Sequence, residues 1–272
     1  MVKAEMGNTG KIKIGIVQFR ADNDAPGENL EKITSYIESL VEENVDLVLL
    51  PEMFNSGYGT DEATISNASE MPEETVEVLS ALAAYNDIAV VGGIVNKTNG
   101  GFFNSTVIML PYLEPIYYNK THLFRDEKKV FTPGSEFKTF EFSGIQFGVL
   151  MCYEIGFPEI SRKLCKQGAE VLLVPFAFGR ERKLIFETAT RARSIENGCF
   201  VVASSQCGTN KTMNFVGGSR IISPSGEIIV DCGGAEGFAS AEIDIRLVKK
   251  YRFGESRDSH GYFSNFRDDL YR

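Results

Sequence analysis

Short, unbroken apolar runs bounded by turn residues constrain this chain more than any other feature. They lie at 46–50 (DLVLL), 88–95 (IAVVGGIV), 146–151 (QFGVLM), 171–174 (VLLV) and 200–204 (FVVAS). A strand with no polar face has to be buried on both sides, as in mainly parallel sheets covered by helices. Helical spacing fills several of the gaps. Leu30, Ile33, Ile37, Leu40 and Val41 form one such face within 29–43, and similar stretches cover 73–85, 158–167 and 181–197. Pro158 suits a first helical turn, and Gly198 suits the position just past a helix end. KIKIGIVQF at 11–19 reads as a first strand, 105–110 with 115–118 as a strand pair, and 238–245 as a last strand. The segments 218–223 and 227–231 flank Pro224-Ser225-Gly226 as a hairpin, and the 171–174 strand is expected to close at Pro175. This alternation predicts a layered α/β protein. One domain is expected over 11–272, with residues 1–10 a disordered N-terminus and a polar, aromatic-rich tail from about 247.

Composition removes several classes of function. An apolar fraction of 43% and a charged fraction of 24% are those of an ordinary globular protein. A net charge of −9 and the lack of a Lys/Arg cluster interleaved with aromatics disfavour nucleic acid as a partner. The polar start has no signal-peptide core, and no run of about twenty apolar residues could cross a bilayer. The expectation is a cytoplasmic protein with no membrane partner. Five cysteines, an odd number, disfavour a disulfide framework. With no CxxC pair and only two histidines, a structural zinc site has poor support. Most of the cysteines read as small buried hydrophobes.

Three segments place a reactive side chain just past an apolar strand, where open α/β sheets put their ligands. Glu52 follows the 46–50 strand in LLPEMF. Its carboxylate is either turned to solvent or partly desolvated, with a raised pKa suited to acid or base work. Lys120 stands in YNKTHLF at 118–124. It is either a snorkelling surface lysine or an ammonium drawn inward to steady an oxyanion and lower the pKa of a nearby thiol. Cys152 sits between the 146–151 strand and the helix opened by Pro158. It is either an inert core thiol or a nucleophile exposed on a sharp turn, its thiolate favoured by a helix N-terminus. His122 offers a Cys–His pair as one role and a hydrogen-bonded loop residue as the other.

Taken together and in this order, these segments resemble the nitrilase, or carbon–nitrogen hydrolase, superfamily and its Glu-Lys-Cys triad. The matching residues are Pro51, Glu52, Phe54, Gly57 and Tyr58; then Tyr118, Lys120, His122, Leu123 and Phe124; then Cys152, Tyr153, Glu154, Phe157, Pro158 and Glu159. Arg191-Ala192-Arg193, Glu196-Asn197, Gly217-Gly218-Ser219, Pro224 with Gly226, and Arg267 with Asp269-Leu270-Tyr271 extend the likeness from about residue 11 to the end. The resemblance implies a four-layer α-β-β-α sandwich, usually a homodimer, working without a metal or organic cofactor. It implies Cys152 as nucleophile, Glu52 as general base, and Lys120 with the Tyr153 backbone N–H at the oxyanion. Glu127 is the candidate that positions Lys120, and Tyr58 and Phe176 are candidate substrate contacts, with Phe178 and Arg180 nearby. The substrate implied is a small amide or N-carbamoyl compound, opened through a cysteine thioester. The alternatives are a nitrile substrate, disfavoured by Tyr153 where nitrilases commonly carry Trp, or a catalytically silent member. At Ile155-Gly156, where relatives acting on ω-amides of dicarboxylic acids often carry an arginine, this chain has no charge.

Overall fold

The computed structural model describes residues 10–68, 72–211, 213–254 and 257–271. The tail of the expected N-terminal segment, Gly10, is among them, and residues 1–9 lie outside them. The chain runs β1 (Lys11–Gln18), α1 (Pro26–Glu42), β2 (Leu47–Leu49), α2 (Glu62–Ala68), α3 (Pro72–Asn86), β3 (Ala89–Thr98), β4 (Gly101–Met109) and β5 (Ile116–Asn119). It continues through α4 (Glu127–Val130), β6 (Lys138–Phe142), β7 (Ile145–Val149), α5 (Pro158–Lys166), β8 (Val171–Phe176), α6 (Lys183–Asn197) and β9 (Phe200–Ser205). A small hairpin, β10 (Thr209–Asn210) and β11 (Met213–Asn214), precedes β12 (Arg220–Ile222), β13 (Ile228–Asp231), β14 (Gly237–Asp244) and α7 (Arg246–Arg252).

Two six-stranded sheets result, ordered β14-β1-β2-β3-β4-β5 and β13-β12-β9-β8-β7-β6. Each has a parallel triple, β1-β2-β3 or β7-β8-β9, with antiparallel strands beside it. Strand periodicity distributes the side chains between layers. Ile14, Ile16, Leu47 and Leu49 turn inward to share one core with the second sheet's Leu173 and Val202. Their neighbours Val17, Val48 and Leu50 turn outward onto Ile33, Ile37 and Leu40 of α1 and Leu79 and Ala83 of α3. Ile160 and Leu164 of α5 and Phe186 and Ala189 of α6 cover the other sheet. The order is α-β-β-α, the four-layer sandwich. The five cysteines are unbridged.

Four local expectations change. Pro175 does not end β8: it pairs with Ser204 inside the strand. The β7–β8 ladder has already stopped at Leu173, so the missing proline N–H faces a side that β7 has left. The polar alternation KTFEF forms the edge strand β6, and α2 forms ahead of the helix read at 73–85. The tail opens with α7, which closes over Gly198, a left-handed C-cap with φ 54°. A Cβ at Gly198 would meet the Arg252 backbone at 2.8 Å.

Candidate active site

Glu52 follows β2 and Cys152 follows β7, both at carboxyl ends of parallel strands, and Lys120 follows β5. The loop carrying Glu52 lies flat on β3. Gly93 N–H donates to Pro51 O and Phe54 N–H to Gly93 O, both at 3.0 Å. Only glycine permits that approach, because a Cβ at Gly93 would sit 2.6 Å from the Glu52 Cα. From the facing sheet, Gln206 Nε2 donates to the Glu52 carbonyl at 2.8 Å.

The acidic and basic groups meet in a fully buried cluster. Lys120 Nζ donates to Glu52 Oε1 at 2.7 Å and to Glu127 Oε1 at 2.9 Å, with all three side chains at 0% exposure. Asn104 Nδ2 also donates to Glu52 Oε1, at 2.8 Å, while Glu52 Oε2 has no nitrogen or oxygen donor among the described residues. Glu127 is held by Tyr58 OH at 2.7 Å and by the Phe124 N–H at 2.8 Å. Burial opposes the charge on Lys120, yet Glu127 and Glu52 outweigh it and hold the ammonium well above the usual lysine range. Burial raises the Glu52 carboxyl, Lys120 pulls it down, Glu127 pushes it up, and the net is upward. Burial, then the Glu127 charge, drives the Tyr58 phenol far above its ordinary value.

Cys152 has φ 48°, a left-handed conformation uncommon outside glycine, so the turn that presents its sulfur is strained. It opens a single 3-10 turn, Cys152–Gly156, and the α-helix itself starts only at Pro158. The expected stabilisation of the thiolate does not prevail. Burial first, and the Glu52 charge second, raise the thiol well above its ordinary value against the pull of Lys120 and an Ala177 backbone hydrogen bond. Burial therefore holds Cys152 as a neutral thiol, and it hydrogen-bonds the Glu52 side chain.

A narrow cavity of about 80 Å³ opens onto Cys152. Tyr58, Phe124, Tyr153, Ala177 and Phe178 form most of its wall, with Gly156, Arg182 and Ile185 completing it. Of the sequence candidates, Glu52, Lys120, Glu127 and Cys152 form one group, and Tyr58 and Tyr153 border the cavity. Phe176 does not reach it. Its ring is fully buried and packs edge-on against Phe178 and Phe186 in the core. Arg180 is exposed, and Arg182 stands at the wall in its place. His122 hydrogen-bonds Thr121 Oγ1 at 2.8 Å and packs on Phe157.

Sequence reasoning missed the carboxylate that joins the lysine loop to the cysteine turn. Glu154, at 0% exposure, accepts from Tyr118 OH at 2.7 Å, Thr121 N–H at 2.8 Å, Thr121 Oγ1 at 2.6 Å, His122 N–H at 3.2 Å and Met151 N–H at 2.7 Å. The acidic position two residues after Cys152 was its only signal in the sequence.

The sequence profile of the carbon–nitrogen hydrolase family matches residues 13–253. This chain belongs to the carbon–nitrogen hydrolase family. It is 33% identical to a 2-oxoglutaramate amidase from Bacillus subtilis over 269 residues, 96% of this chain and all of that protein. A protein described as a nitrilase from Pyrococcus abyssi is 31% identical over 96% of this chain and 99% of its own length. Among solved structures, the NitFhit protein of C. elegans superposes with a TM-score of 0.89 at 30% identity, covering 97% of this chain and 67% of that one. An amidase from Nesterenkonia sp. shares the fold, with a TM-score of 0.84 at 24% identity over 96% of this chain and 95% of that one. No helix among the described residues is long and apolar enough to cross a membrane.

Proposed function

We propose that this chain hydrolyses the carbon–nitrogen bond of a small amide through a thioester on Cys152. The observation that carries the reading is the buried ammonium of Lys120, shared between Glu52 and Glu127 beside a thiol on a strained turn. Burying one cation and two carboxylates carries a desolvation cost that only close pairing offsets, and a lysine pinned at 2.7 and 2.9 Å is a fixed positive point for an oxyanion.

Glu52 takes the thiol proton as sulfur adds to the amide carbon. The developing oxyanion lies against Lys120 Nζ and the Tyr153 N–H. Glu52 returns the proton to nitrogen, ammonia leaves, and the acyl group stays on sulfur as a thioester. Glu52 then removes a proton from water, which attacks the thioester carbon; collapse frees the acid and restores the thiol. Glu127 orients Lys120, and Tyr58 orients Glu127. Similarity to proteins described as amidases and to a 2-oxoglutaramate amidase supports an amide over a nitrile substrate.

Ammonia release across a panel of amides, ureido acids and nitriles, measured for the parent and Cys152→Ala, tests the reading. Release from an amide that vanishes in the variant is expected; an equally active variant would overturn it. A homodimer and a cytoplasmic setting complete the proposal. Exposed apolar side chains on α6, Leu184 and Ile195, and in the tail, Leu270 and Tyr271, support a partner copy. Sedimentation velocity tests it, and a monomer at micromolar concentration refutes it.

A further inference from the structure

Asn104 and Lys120 stand opposite each other across two antiparallel strands. The β4–β5 ladder pairs Thr106 with Tyr118 and Ser105 with Asn119, and the Lys120 N–H continues it by one rung, donating to the Asn104 carbonyl at 2.9 Å. Residues on one rung of an antiparallel pair share a face, so the two side chains rise together and reach the same atom. Lys120 Nζ and Asn104 Nδ2 both donate to Glu52 Oε1, at 2.7 and 2.8 Å. Asn104 is fully buried, and among the described residues this is the only hydrogen bond its side chain makes.

The two donors differ in kind. An ammonium is a compact charge with three rotatable donors, and alone it can straddle both oxygens of a carboxylate. A primary amide is planar and directional, and this one is fixed on β4, whose other neighbour, β3, carries the Glu52 loop. Its bond saturates Oε1 and sets the plane of the carboxylate, leaving Oε2 with no nitrogen or oxygen donor among the described residues. Cys152 hydrogen-bonds the same carboxylate. Being neutral, the amide holds Glu52 without the loss of basicity that a second cation would impose. We propose that Asn104 is a positioning residue for Glu52: it holds Oε1 against Lys120 and keeps Oε2 free to take the proton of the Cys152 thiol. This rests on the hydrolase reading above, in which Glu52 is the base.

The test follows alkylation of Cys152 by iodoacetamide, read by peptide mass between pH 5 and pH 9. It compares the parent, Asn104→Ala, Asn104→Asp, Glu52→Gln, and Asn104→Ala combined with Glu52→Gln. In this reaction sulfur bonds to the methylene carbon, iodide leaves, and the thiol proton goes to Glu52, so no amide turnover is needed. Asn104→Ala is expected to slow the reaction at pH 7 about 10- to 100-fold, the value of a hydrogen bond to a charged group. Its acid limb should move to higher pH, because a donor to the ionised carboxyl is lost. That of Asn104→Asp should move further, because a like charge is added. In the Glu52→Gln background Asn104→Ala should change nothing, since it acts through the carboxylate. A parent-like rate and limb in Asn104→Ala, or an equal loss with and without Glu52, overturns the proposal. Lowered stability in urea with an unmoved limb does so too, being the mark of a structural role alone. Asn104→Asp keeps the shape of the side chain and carries the same comparison should Asn104→Ala not fold. A parent that releases ammonia from no amide would sink the hydrolysis itself and leave this comparison standing.

Discussion

Replacing Lys120 with methionine removes the one cation between two buried carboxylates. In the parent, Nζ lies 2.7 Å from Glu52 Oε1 and 2.9 Å from Glu127 Oε1, all at 0% exposure. Breaking a buried ion pair by removing one partner costs about 3–5 kcal/mol, because the remaining charge has no water to return to. Methionine fills most of the vacated volume, so the loss is electrostatic rather than a cavity. The deficit must depend on pH in a definite sense. Lys120 lowers the Glu52 carboxyl and Glu127 raises it, so without the lysine Glu52 rises further above its unfolded value. A carboxyl raised in the folded state binds more protons folded than unfolded, so stability falls as pH climbs from the ordinary glutamate range toward the folded value. Urea unfolding of Lys120→Met and the parent at pH 5.5 and pH 8 reads this directly. The variant should be weaker by about 3–5 kcal/mol at pH 8 and recover part of that at pH 5.5, when a carboxylate accepts a proton. Its amide turnover should fall by about 10²–10³, the cost of one oxyanion donor. A variant equally stable at pH 8, or one whose deficit grows toward acid, would refute the buried-cluster argument.

Alkylation of Cys152 by iodoacetamide at pH 7 should be rapid in the parent and slow in Glu52→Gln, whose rate should keep climbing above pH 9 because burial holds the thiol high; equal rates at pH 7 would remove Glu52 as the base. Glu154→Gln keeps the shape of the residue and removes the charge that five donors share, so kcat should fall about 10–100-fold with a smaller change in KM, a range borrowed from second-layer partners of metal sites. A change confined to KM would speak against its tying the lysine loop to the cysteine turn. Gly93→Ala pushes a methyl group 2.6 Å from the Glu52 Cα and should abolish most turnover while circular dichroism shows a folded chain; full activity would mean that the loop moves freely.

What the sequence disclosed followed physical lines. Strands buried on both faces are continuous apolar runs, so β2, β3, β7, β8 and β9 were readable within a residue or two or three, and Glu52 and Cys152 were visible because each follows one. The edge strand β6 was not, since KTFEF pairs on one side only and keeps polar side chains. Pro175 misled because a proline argues against a strand interior unless the neighbouring ladder has ended, which is a fact of sheet register. Asn104, Glu154, Gln206 and Arg182 are ordinary polar residues in sequence, and only the meeting of separate elements gives them partners. The direction of the Cys152 shift was also beyond the sequence, for it turns on burial outweighing one lysine. Phe176 is the last residue of β8 and turns into the core, whereas Phe178 lies two residues past the strand's end and lines the cavity, a difference set by where the strand stops.

The central claim is that Cys152 carries the acyl group, and the most direct measurement is the mass of the protein during turnover. Acid quenching within milliseconds of mixing with an accepted amide, followed by peptide mapping, should find the acyl mass on the peptide bearing Cys152 and nowhere else. It should be absent from Cys152→Ala. An acyl group on Cys165, Cys199, Cys207 or Cys232, or steady amide turnover by Cys152→Ala, would contradict the account.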